Sequence, residues 1–409
     1  MSMDIPRAAS DPPPFPARRA NAARLVVLLA LAGAIGFLGG LLFSESTDSP
    51  YNDEDFALFW QSWQILDEEY YYGPPPKEKL IQSAIQGLLR ATGDPYTYYV
   101  PPAQAEFDRQ QTAGEFGGIG ADVTLNADGH LVIISPYPGY PAHGAGLRPQ
   151  DQIREVDGQS LAGLSVGEAV GLLRGEVGAE VTLTVYRPSE NREFTVTLTR
   201  ALVELPTVEA RLIDTIGYAH LFNFNSNATP QLESALRDLL DQDAEALILD
   251  LRGNPGGLLD QAIGVSDLFL GDGVVVKQRA RSGREVVYRS EGGDLAEETP
   301  LIVLVDAGSA SASEVVAGAL RDRDRAVLIG ETTYGKGSVQ HVHTLADNSQ
   351  VHVTYALWFT PNETPIQGEG LTPDIEVQQP DDSAPDDDPI LDRALEYAQN
   401  ELLVGTDGP

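Results

Sequence analysis

Leu301-Ile-Val-Leu-Val-Asp306 is followed by the turn Gly308-Ser-Ala-Ser-Ala-Ser-Glu314 and then by Val315-Val-Ala-Gly-Ala-Leu320. The first piece is a short continuous apolar run, which predicts a buried strand, and the third can continue as a helix. A tight turn between a strand and a helix lifts a serine hydroxyl out of a sheet and places free backbone N–H groups beside it. The stretch therefore predicts an α/β core with a serine at the head of a helix.

The serines of this turn also have a purely structural interpretation. Ser311-Ala-Ser-Glu314 fits the S-x-x-E capping box, in which the serine only caps a helix. Helix caps far outnumber nucleophiles, so the turn alone does not decide between the two roles.

A lysine flanked by glycines, Gly335-Lys336-Gly337, follows the serine turn, and no histidine stands between the two segments. A lysine acts as a general base only when it is neutral, which requires burial that lowers its pKa from about 10.4 toward roughly 7 to 8. A phosphate loop is the alternative, because residues 330–336 fit most of G-x-x-x-x-G-K-[ST]. Gly337 stands where that motif needs a magnesium-binding hydroxyl, so the pairing indicates a hydrolase with a lysine base.

These two segments together give a family resemblance. The serine turn followed by Gly335-Lys-Gly-Ser-Val-Gln340 resembles the carboxyl-terminal processing (tail-specific) serine proteases, and the resemblance extends over most of the chain. It implies that Ser311 is the nucleophile, that Lys336 is its general base and that Gln340 orients the lysine. The residues themselves do not distinguish Ser311 from Ser309 or Ser313, so that choice depends on the resemblance.

A glycine-rich loop supplies the third part of the predicted site. Ala246-Leu-Ile-Leu-Asp-Leu251 reads as another buried strand and ends in Arg252-Gly-Asn-Pro-Gly-Gly257, which by itself predicts only a turn. The family resemblance places this loop against the nucleophile and implies an oxyanion donor at Gly256 or Gly257. The other donor is the N–H of Ala312, directly after the serine.

Residues 114–200 resemble a PDZ domain. The order of a glycine loop, an alternating strand, the Ala145-Gly-Leu segment and the Val156-Asp-Gly158 turn carries that resemblance. It implies that the loop Gly117, Gly118, Ile119 and Gly120 captures a peptide carboxylate, while the next strand pairs with the peptide and a helix over 165–174 forms the other wall. An ordinary small β-rich domain without a ligand is the alternative.

Arg174 ends that helix. The family resemblance makes it a candidate for coupling peptide binding to activation of the protease core, and a solvated surface arginine is the alternative.

The N-terminus predicts a membrane anchor. Residues 25–43 carry no charge over nearly the 20 residues that span a bilayer. Arginines precede this stretch and acidic residues follow it, so the N-terminus is predicted to be cytoplasmic and the rest extracytoplasmic, in a bacterial periplasm or at a cell surface. A cleaved signal peptide is the alternative, but Gly39-Gly-Leu is a poor cleavage site, which favours an uncleaved anchor.

Composition excludes several classes of function. The chain has no cysteine, which excludes disulfides and thiolate zinc sites, and its formal net charge of −34 argues against nucleic-acid binding. His220, His341, His343 and His352 could enter a catalytic triad or bind a metal, but none lies in a recognisable motif. We therefore predict no metal and no cofactor.

The predicted fold is α/β, with a mixed-sheet protease core that resembles the crotonase-like family, a helical N-terminal region and an inserted β-rich PDZ domain. Apolar residues at helical spacing predict two helices within 53–90. The predicted boundaries are a cytoplasmic tail at 1–24, the anchor at 25–43, a linker at 44–52, the helical region at 53–113, the PDZ domain at 114–200, the protease core at 201–378, and an acidic linker with a final helix at 379–409.

The predicted function is a membrane-anchored serine endopeptidase that cleaves near the C-terminus of exported proteins. Its predicted partners are protein substrates with free C-terminal tails, and the sequence leaves open a homo-oligomer or a regulatory adaptor. A catalytically silent PDZ scaffold at the membrane is the alternative from another class.

Overall fold

The structure is a computed structural model that describes residues 56–126, 128–292, 295–379 and 387–402. The predicted cytoplasmic tail, anchor and linker at 1–52 lie outside these residues, as does most of the acidic stretch at 380–388. None of the helices within the described ranges is long and apolar enough to cross a membrane. The chain divides into two units, residues 1–80 and 81–409.

The described part of the first unit contains helix α1 (Ala57–Glu69) and the start of helix α2 (Lys77–Arg90). The structure confirms the two helices that the apolar spacing predicts. Neither helix contains a buried residue. The aromatic side chains of α1 contact one another instead, with the Phe59 ring centroid 5.0 Å from that of Trp60 and 5.8 Å from that of Trp63.

The second unit begins with elements that lead into an antiparallel sheet. They are β1 (Tyr98–Val100), α3 (Pro102–Ala113), β2 (Glu115–Gly118), β3 (Ala121–Leu125), β4 (Leu131–Pro136), α4 (Pro141–Gly144), β5 (Gln152–Val156), β6 (Gln159–Ser160), α5 (Val166–Leu173), β7 (Glu180–Arg187) and β8 (Arg192–Thr199). The strands pair in the order β3-β4-β5-β7-β8, with β6 on β5. Alternate residues of β7 are buried, because a strand turns every second side chain toward the core.

The described elements after this sheet contribute to three further sheets, one of them the two-stranded pair of β2 and β9, and include four α-helices. They are β9 (Ala201–Glu204), which pairs with β2, then β10 (Val208–Ile213), β11 (Ile216–Leu221), α6 (Ala228–Leu240), β12 (Ala246–Asp250), α7 (Leu259–Asp267), β13 (Gly273–Ala280), β14 (Glu285–Ser290), β15 (Leu301–Val305), α8 (Ala312–Asp322), β16 (Val327–Gly330), β17 (Ser338–Thr344), β18 (Gln350–Phe359), β19 (Ile375–Glu376) and α9 (Pro389–Tyr397).

The central sheet has the order β10-β11-β12-β15-β16-β19 and is parallel except at β10. Strands β12 and β15 are buried along their whole length, which explains why both read as continuous apolar runs. Leu247 and Val303 pack with α6, α7 and α8, whereas Ile248 and Ile302 pack with α9 on the opposite face. Because parallel strands end at the same edge, the loops after β12 and β15 lie side by side.

A second, antiparallel sheet has the order β1-β18-β13-β14, with β17 paired to β18. Its residues Val276 and Trp358 belong to the same core as α7 and α8, so these helices contact both sheets. Strand β1 pairs with residues 350–352 of β18, which brings the chain before the first sheet beside the segment after β16. The predicted mixed α/β fold with a β-rich inserted region is confirmed, while the crotonase-like comparison stays a prediction.

Candidate active site

The three serines of the turn before α8 differ in burial and bonding. Ser309 and Ser313 are fully buried, and their hydroxyls donate to the carbonyls of Leu251 (2.7 Å) and Asn254 (2.8 Å). Ser311 is only partly buried. The outer two serines therefore have structural hydrogen bonds, and Ser311 is the serine of the three that solvent reaches.

The backbone of Ser311 is strained. It directly precedes α8 and has a φ of 55° and a ψ of −110°. A positive φ is uncommon for a residue with a Cβ, and such strain is concentrated at functional sites. The conformation turns the serine out of the path of the helix, as a nucleophile at the end of a strand requires.

Glu314 joins the serine turn to the lysine loop. Its carboxylate is fully buried and accepts hydrogen bonds from the backbone N–H groups of Ser311 (2.8 Å), Gly335 (2.7 Å) and Lys336 (2.9 Å), and from the Thr333 hydroxyl (2.6 Å). The bonds from Ser311 and Lys336 end on the same oxygen, Oε2. The capping-box glutamate therefore holds the two predicted catalytic residues together.

Lys336 lies in a partly buried position between β16 and β17. Its Nζ lies 5.7 Å from the centroid of the Tyr96 ring. Burial lowers the pKa of Lys336 below its ordinary value, and the negative charge of Glu314 opposes that shift. The net direction is the one that a lysine base requires.

Gln340 lies on β17, four residues after the lysine. Its Nε2 donates to the hydroxyls of Ser338 (2.8 Å) and Thr354 (3.2 Å). These bonds use both amide hydrogens, so the amide oxygen remains available as an acceptor. The described residues contain no hydrogen bond between Gln340 and Lys336, and the orienting role stays a prediction.

The loop after β12 lies directly against the serine turn. A Cβ at Gly256 would come within 2.9 Å of the Ser311 Cβ and of the Ala312 nitrogen, so only glycine permits this approach. The Gly256 N–H donates to the Asn254 side chain (2.9 Å). Across the described ranges the N–H groups of Gly257 and Ala312 have no hydrogen-bond partner, which favours Gly257 over Gly256 as the second oxyanion donor.

Asn254 fixes this loop through its hydrogen bonds, although the sequence pattern does not identify this residue. Its side chain is fully buried and donates to the Leu221 carbonyl (2.7 Å), while its own carbonyl accepts from the Ala310 N–H (3.0 Å) and the Ser313 hydroxyl (2.8 Å). Asparagine in a glycine-rich loop is a common turn residue, so the sequence gives no signal for this role.

The predicted glycine loop at 117–120 precedes β3, the edge strand of the first sheet, but it is a loop only in part. Gly117 and Gly118 belong to β2, which pairs with β9, and residues 119–120 connect β2 to β3. Gly117, Gly118, Ile119 and Gly120 are all buried. A Cβ at Gly117 would lie 2.0 Å from the Gly175 carbonyl oxygen, so the close approach of these two segments needs glycine. Among the described strands, β3 pairs with β4 and has no partner on its other side, and α5 lies along it. An unpaired strand edge beside a helix is the geometry that a peptide-binding groove requires, and the binding itself stays a prediction.

Arg174 directly follows α5, and its guanidinium is stacked between two aromatic rings. Its Cζ lies 3.8 Å from the Phe116 ring centroid and 4.7 Å from that of Phe107. Its Nε and Nη1 are buried and have no hydrogen-bond partner among the described residues, and burial lowers the pKa of Arg174. The interpretation as a solvated surface arginine is therefore wrong, while the coupling role stays a prediction.

Three of the four candidate histidines lie on the paired strands β17 and β18, where the His341 and His343 ring centroids are 6.1 Å apart, whereas His220 lies on β11. His220 Nε2 lies 3.2 Å from the Arg252 carbonyl, His341 stacks on Tyr355 (3.5 Å), and His352 stacks on Tyr98 (4.6 Å). Burial lowers the pKa of His352, and the charge of Lys336 lowers it further against the opposing effect of Asp108. Within the described part of the chain, no group of three or more potential ligands is arranged to hold a metal ion.

Comparison with known proteins gives consistent matches. Residues 215–377 match peptidase family S41, and residues 132–187 match the PDZ domain. The chain is 41% identical to a carboxy-terminal-processing protease of Bartonella bacilliformis, over 76% of this chain and 72% of the relative. It is 36% identical to a carboxyl-terminal-processing protease of Synechocystis sp., over 86% of each. A solved photosystem II D1 C-terminal processing protease is 32% identical, with a TM-score of 0.47 over 79% of this chain and 87% of that one.

Proposed function

Because this chain belongs to the carboxy-terminal processing proteases, serine peptidases of family S41, we propose that it is an endopeptidase with Ser311 as nucleophile and Lys336 as general base. The observation that carries this proposal is the shared Glu314 carboxylate. One buried oxygen binds the backbone of both residues, so the nucleophile and the base are held on either side of a single rigid group.

In the proposed mechanism, neutral Lys336 takes the proton from the Ser311 hydroxyl, and the serine oxygen attacks the scissile carbonyl carbon. The carbonyl π electrons move to oxygen and return when the C–N bond breaks, while Lys336 gives its proton to the leaving amine. Water then attacks the acyl-enzyme with Lys336 again as base, which releases the acid and regenerates Ser311. The Gln340 amide oxygen is available to orient the lysine through these steps.

The free N–H groups of Gly257 and Ala312 are the proposed oxyanion hole. Gly257 lies in the loop after β12, and Ala312 is the first residue of α8, after β15, so both lie at one edge of the central sheet. The Asn254 hydrogen bonds keep this loop and the serine turn together. A donor held in place before the reaction stabilises the transition state without reorganisation, and one such donor contributes about 3 kcal/mol.

The pH dependence of peptide cleavage tests the base. Protonated Lys336 cannot accept a proton, so kcat/KM should be low at acid pH and rise as the lysine loses its proton. Since burial lowers the pKa of Lys336, the midpoint of the rise should lie below the ordinary value of about 10.4. A rate that stays flat from about pH 5 to pH 9 would argue against a lysine base of this kind.

We propose further that the groove between β3 and α5 binds the C-terminal tail of the substrate. The buried segment 117–120, which comprises the end of β2 and the connection to β3, leads into the open edge of β3, which can pair with an added peptide strand. Arg174 directly follows α5, and its guanidinium contacts the aromatic rings of Phe107 on α3 and Phe116 on β2, a position that suits coupling of tail binding to the protease core.

Blocking the tail carboxylate tests this groove. A peptide with a free C-terminus should be cleaved with a lower KM than the same peptide ending in an amide, because amidation removes the charge that the loop binds. Loss of charge-assisted hydrogen bonds corresponds to a rise in KM of about 10- to 100-fold, with a smaller change in kcat. Equal KM values for the two peptides would contradict tail capture.

The proposed domain organisation keeps the predicted boundaries. The family S41 match lies within the proposed core at 201–378, and the PDZ match lies within 114–200. The uncharged stretch at 25–43 supports an N-terminal anchor that holds the protease on the extracytoplasmic side of a membrane.

A further inference from the structure

Residues 94–97 form a turn directly before β1, and this turn lies beside Lys336. Strand β1 pairs with β18, and β18 pairs with β17, which begins two residues after Lys336. Residues 94–97 directly precede β1. A part of the chain that lies outside the 215–377 match to peptidase family S41 therefore forms one side of the candidate active site.

Tyr96 covers the lysine amine. Its ring centroid lies 5.7 Å from Lys336 Nζ. The distance is close to the limit of about 6 Å at which a ring attracts a cation, so that attraction is weak here. Exclusion of water by the ring is then its main effect on the amine, and this favours the neutral form.

Asp94 is linked to Gln340 by a chain of hydrogen bonds. The Asp94 carboxylate accepts from the Tyr96 N–H (2.9 Å) and from the Thr97 hydroxyl (2.7 Å). The Thr97 hydroxyl in turn accepts from the Thr354 N–H (3.1 Å), and the Thr354 hydroxyl accepts from Gln340 Nε2 (3.2 Å).

The start of this chain of bonds is fixed by the carboxylate. An ionised Asp94 can only accept, so the Thr97 hydroxyl gives its single proton to Asp94 and has only lone pairs for the Thr354 N–H. Thr97 therefore holds the backbone of Thr354, whose hydroxyl accepts from Gln340 Nε2. This contact turns the Gln340 amide nitrogen toward Thr354 and leaves its oxygen for the lysine.

We propose that residues 94–97 position the general base: Tyr96 excludes water from the Lys336 amine, and Asp94, through Thr97 and Thr354, fixes the orientation of Gln340. This inference rests on the proposed function, because it assigns positioning residues to the same Ser311 and Lys336 reaction. The charged and titratable groups that face Lys336 are Glu314 from α8, His352 from β18 and Tyr96 from this turn.

The pH profile of kcat/KM tests the Tyr96 part. Tyr96→Ala lets water reach the amine, which favours the charged form, so the midpoint should move up by about one pH unit and kcat/KM at neutral pH should fall about tenfold. The value of kcat/KM on the high-pH plateau should stay at the wild-type level. Tyr96→Phe and Tyr96→Leu retain apolar cover, and both should keep the wild-type midpoint. Tyr96→Asn, which brings a polar group to the amine, replaces Tyr96→Ala if thermal unfolding shows that the alanine variant is not folded.

Asp94→Asn tests the second part. The amide can donate as well as accept, so the direction of the hydrogen-bond chain is no longer fixed. We expect kcat to fall about tenfold, which is part of the 10²- to 10⁴-fold rate increase that a positioned base contributes. KM should be unchanged. The matched control is Asp347→Asn, since Asp347 also closes a turn by accepting from a following N–H and hydroxyl, here those of Ser349. That control should keep the wild-type kcat.

Three outcomes would overturn the proposal: a wild-type midpoint in a folded Tyr96→Ala or Tyr96→Asn variant, an equal shift in Tyr96→Phe, or an unchanged kcat in Asp94→Asn. Lys336→Met, measured alongside, separates this failure from failure of the proposed function. If Lys336→Met stays active, the base itself is misassigned. If Lys336→Met is inactive while the midpoint of the Tyr96→Ala pH profile stays at the wild-type value, only the role of the turn at 94–97 is refuted.

Discussion

Ser311→Ala is expected to abolish peptide cleavage while the protein stays folded. The alanine removes the attacking oxygen, and the site has no other serine that solvent reaches in the same turn. Loss of a nucleophile or its base lowers kcat on the order of 10⁴- to 10⁶-fold in serine peptidases. Lys336→Ala should reduce the rate by a similar factor, because the two residues act as one unit. Hydrolysis of a tail-bearing peptide by the purified variants measures both effects.

Two neighbouring serines and a second lysine provide matched controls. Ser309→Ala and Ser313→Ala remove buried structural hydrogen bonds, so they should lower the melting temperature but keep activity below that temperature. Lys277→Ala removes a lysine that is ion-paired with Glu363 and should leave cleavage unchanged. Full activity in Ser311→Ala or Lys336→Ala would refute the assignment. So would a loss in folded Ser313→Ala as large as that in Ser311→Ala.

Glu314→Ala is expected to damage stability and activity together. It leaves three backbone N–H groups and the Thr333 hydroxyl without their partner in a fully buried site. Each unsatisfied buried group costs about 1–3 kcal/mol, so the free energy of unfolding should fall by several kcal/mol. The turn that carries Ser311 and the loop that carries Lys336 should separate, and kcat/KM should fall with stability. Thermal unfolding and peptide cleavage, measured on the same preparation, check the two effects.

The chain contains a second capping box that serves as the control. At the start of α5, Ser165 and Glu168 form the same S-x-x-E pattern, but Glu168 is exposed. Within the part of the chain that the structure describes, its carboxylate accepts hydrogen bonds from Ser165 alone. Glu168→Ala should therefore change stability little and leave kcat unchanged. A Glu314→Ala variant that behaves like Glu168→Ala would mean that the carboxylate is an ordinary helix cap.

The strands and helices around the site follow from local sequence patterns. The apolar runs at 246–251 and 301–306 predict β12 and β15, and the capping pattern at 311–314 predicts the start of α8. Both kinds of signal lie within a few residues, where periodicity and capping chemistry determine the structure. The same patterns place the two loops at one edge, because parallel strands share the direction in which they end.

The features of the site that the sequence does not predict depend on contacts between distant segments. Ser309, Ser311 and Ser313 are equivalent in pattern, and only the buried acceptors at residues 251 and 254 distinguish them. Gly256 and Gly257 are likewise equivalent in the sequence pattern. As oxyanion donors they are distinguished by the Asn254 side chain, which accepts a hydrogen bond from the Gly256 N–H.

The roles of Glu314 and Tyr96 also depend on contacts between distant segments. Glu314 reads as a helix cap, yet most of its bonds go to residues 19 to 22 positions later. Tyr96 meets Lys336 through the pairing of β1 with β18, which no local pattern reveals. Such contacts are fixed by tertiary packing, and a single sequence carries no periodic signal for them.

The central claim is that Lys336 is neutral at the pH of catalysis, and the small number of lysines makes this directly measurable. The chain has four: Lys77, Lys79, Lys277 and Lys336. With isotopically labelled lysine, NMR can follow each side-chain amine through a pH titration, and Lys336→Met identifies the signal of interest. We expect the Lys336 amine to titrate below the ordinary lysine value of about 10.4 and to match the midpoint of the kcat/KM profile. A Lys336 amine that titrates at or above that value, while cleavage proceeds at full rate near neutral pH, would contradict the account.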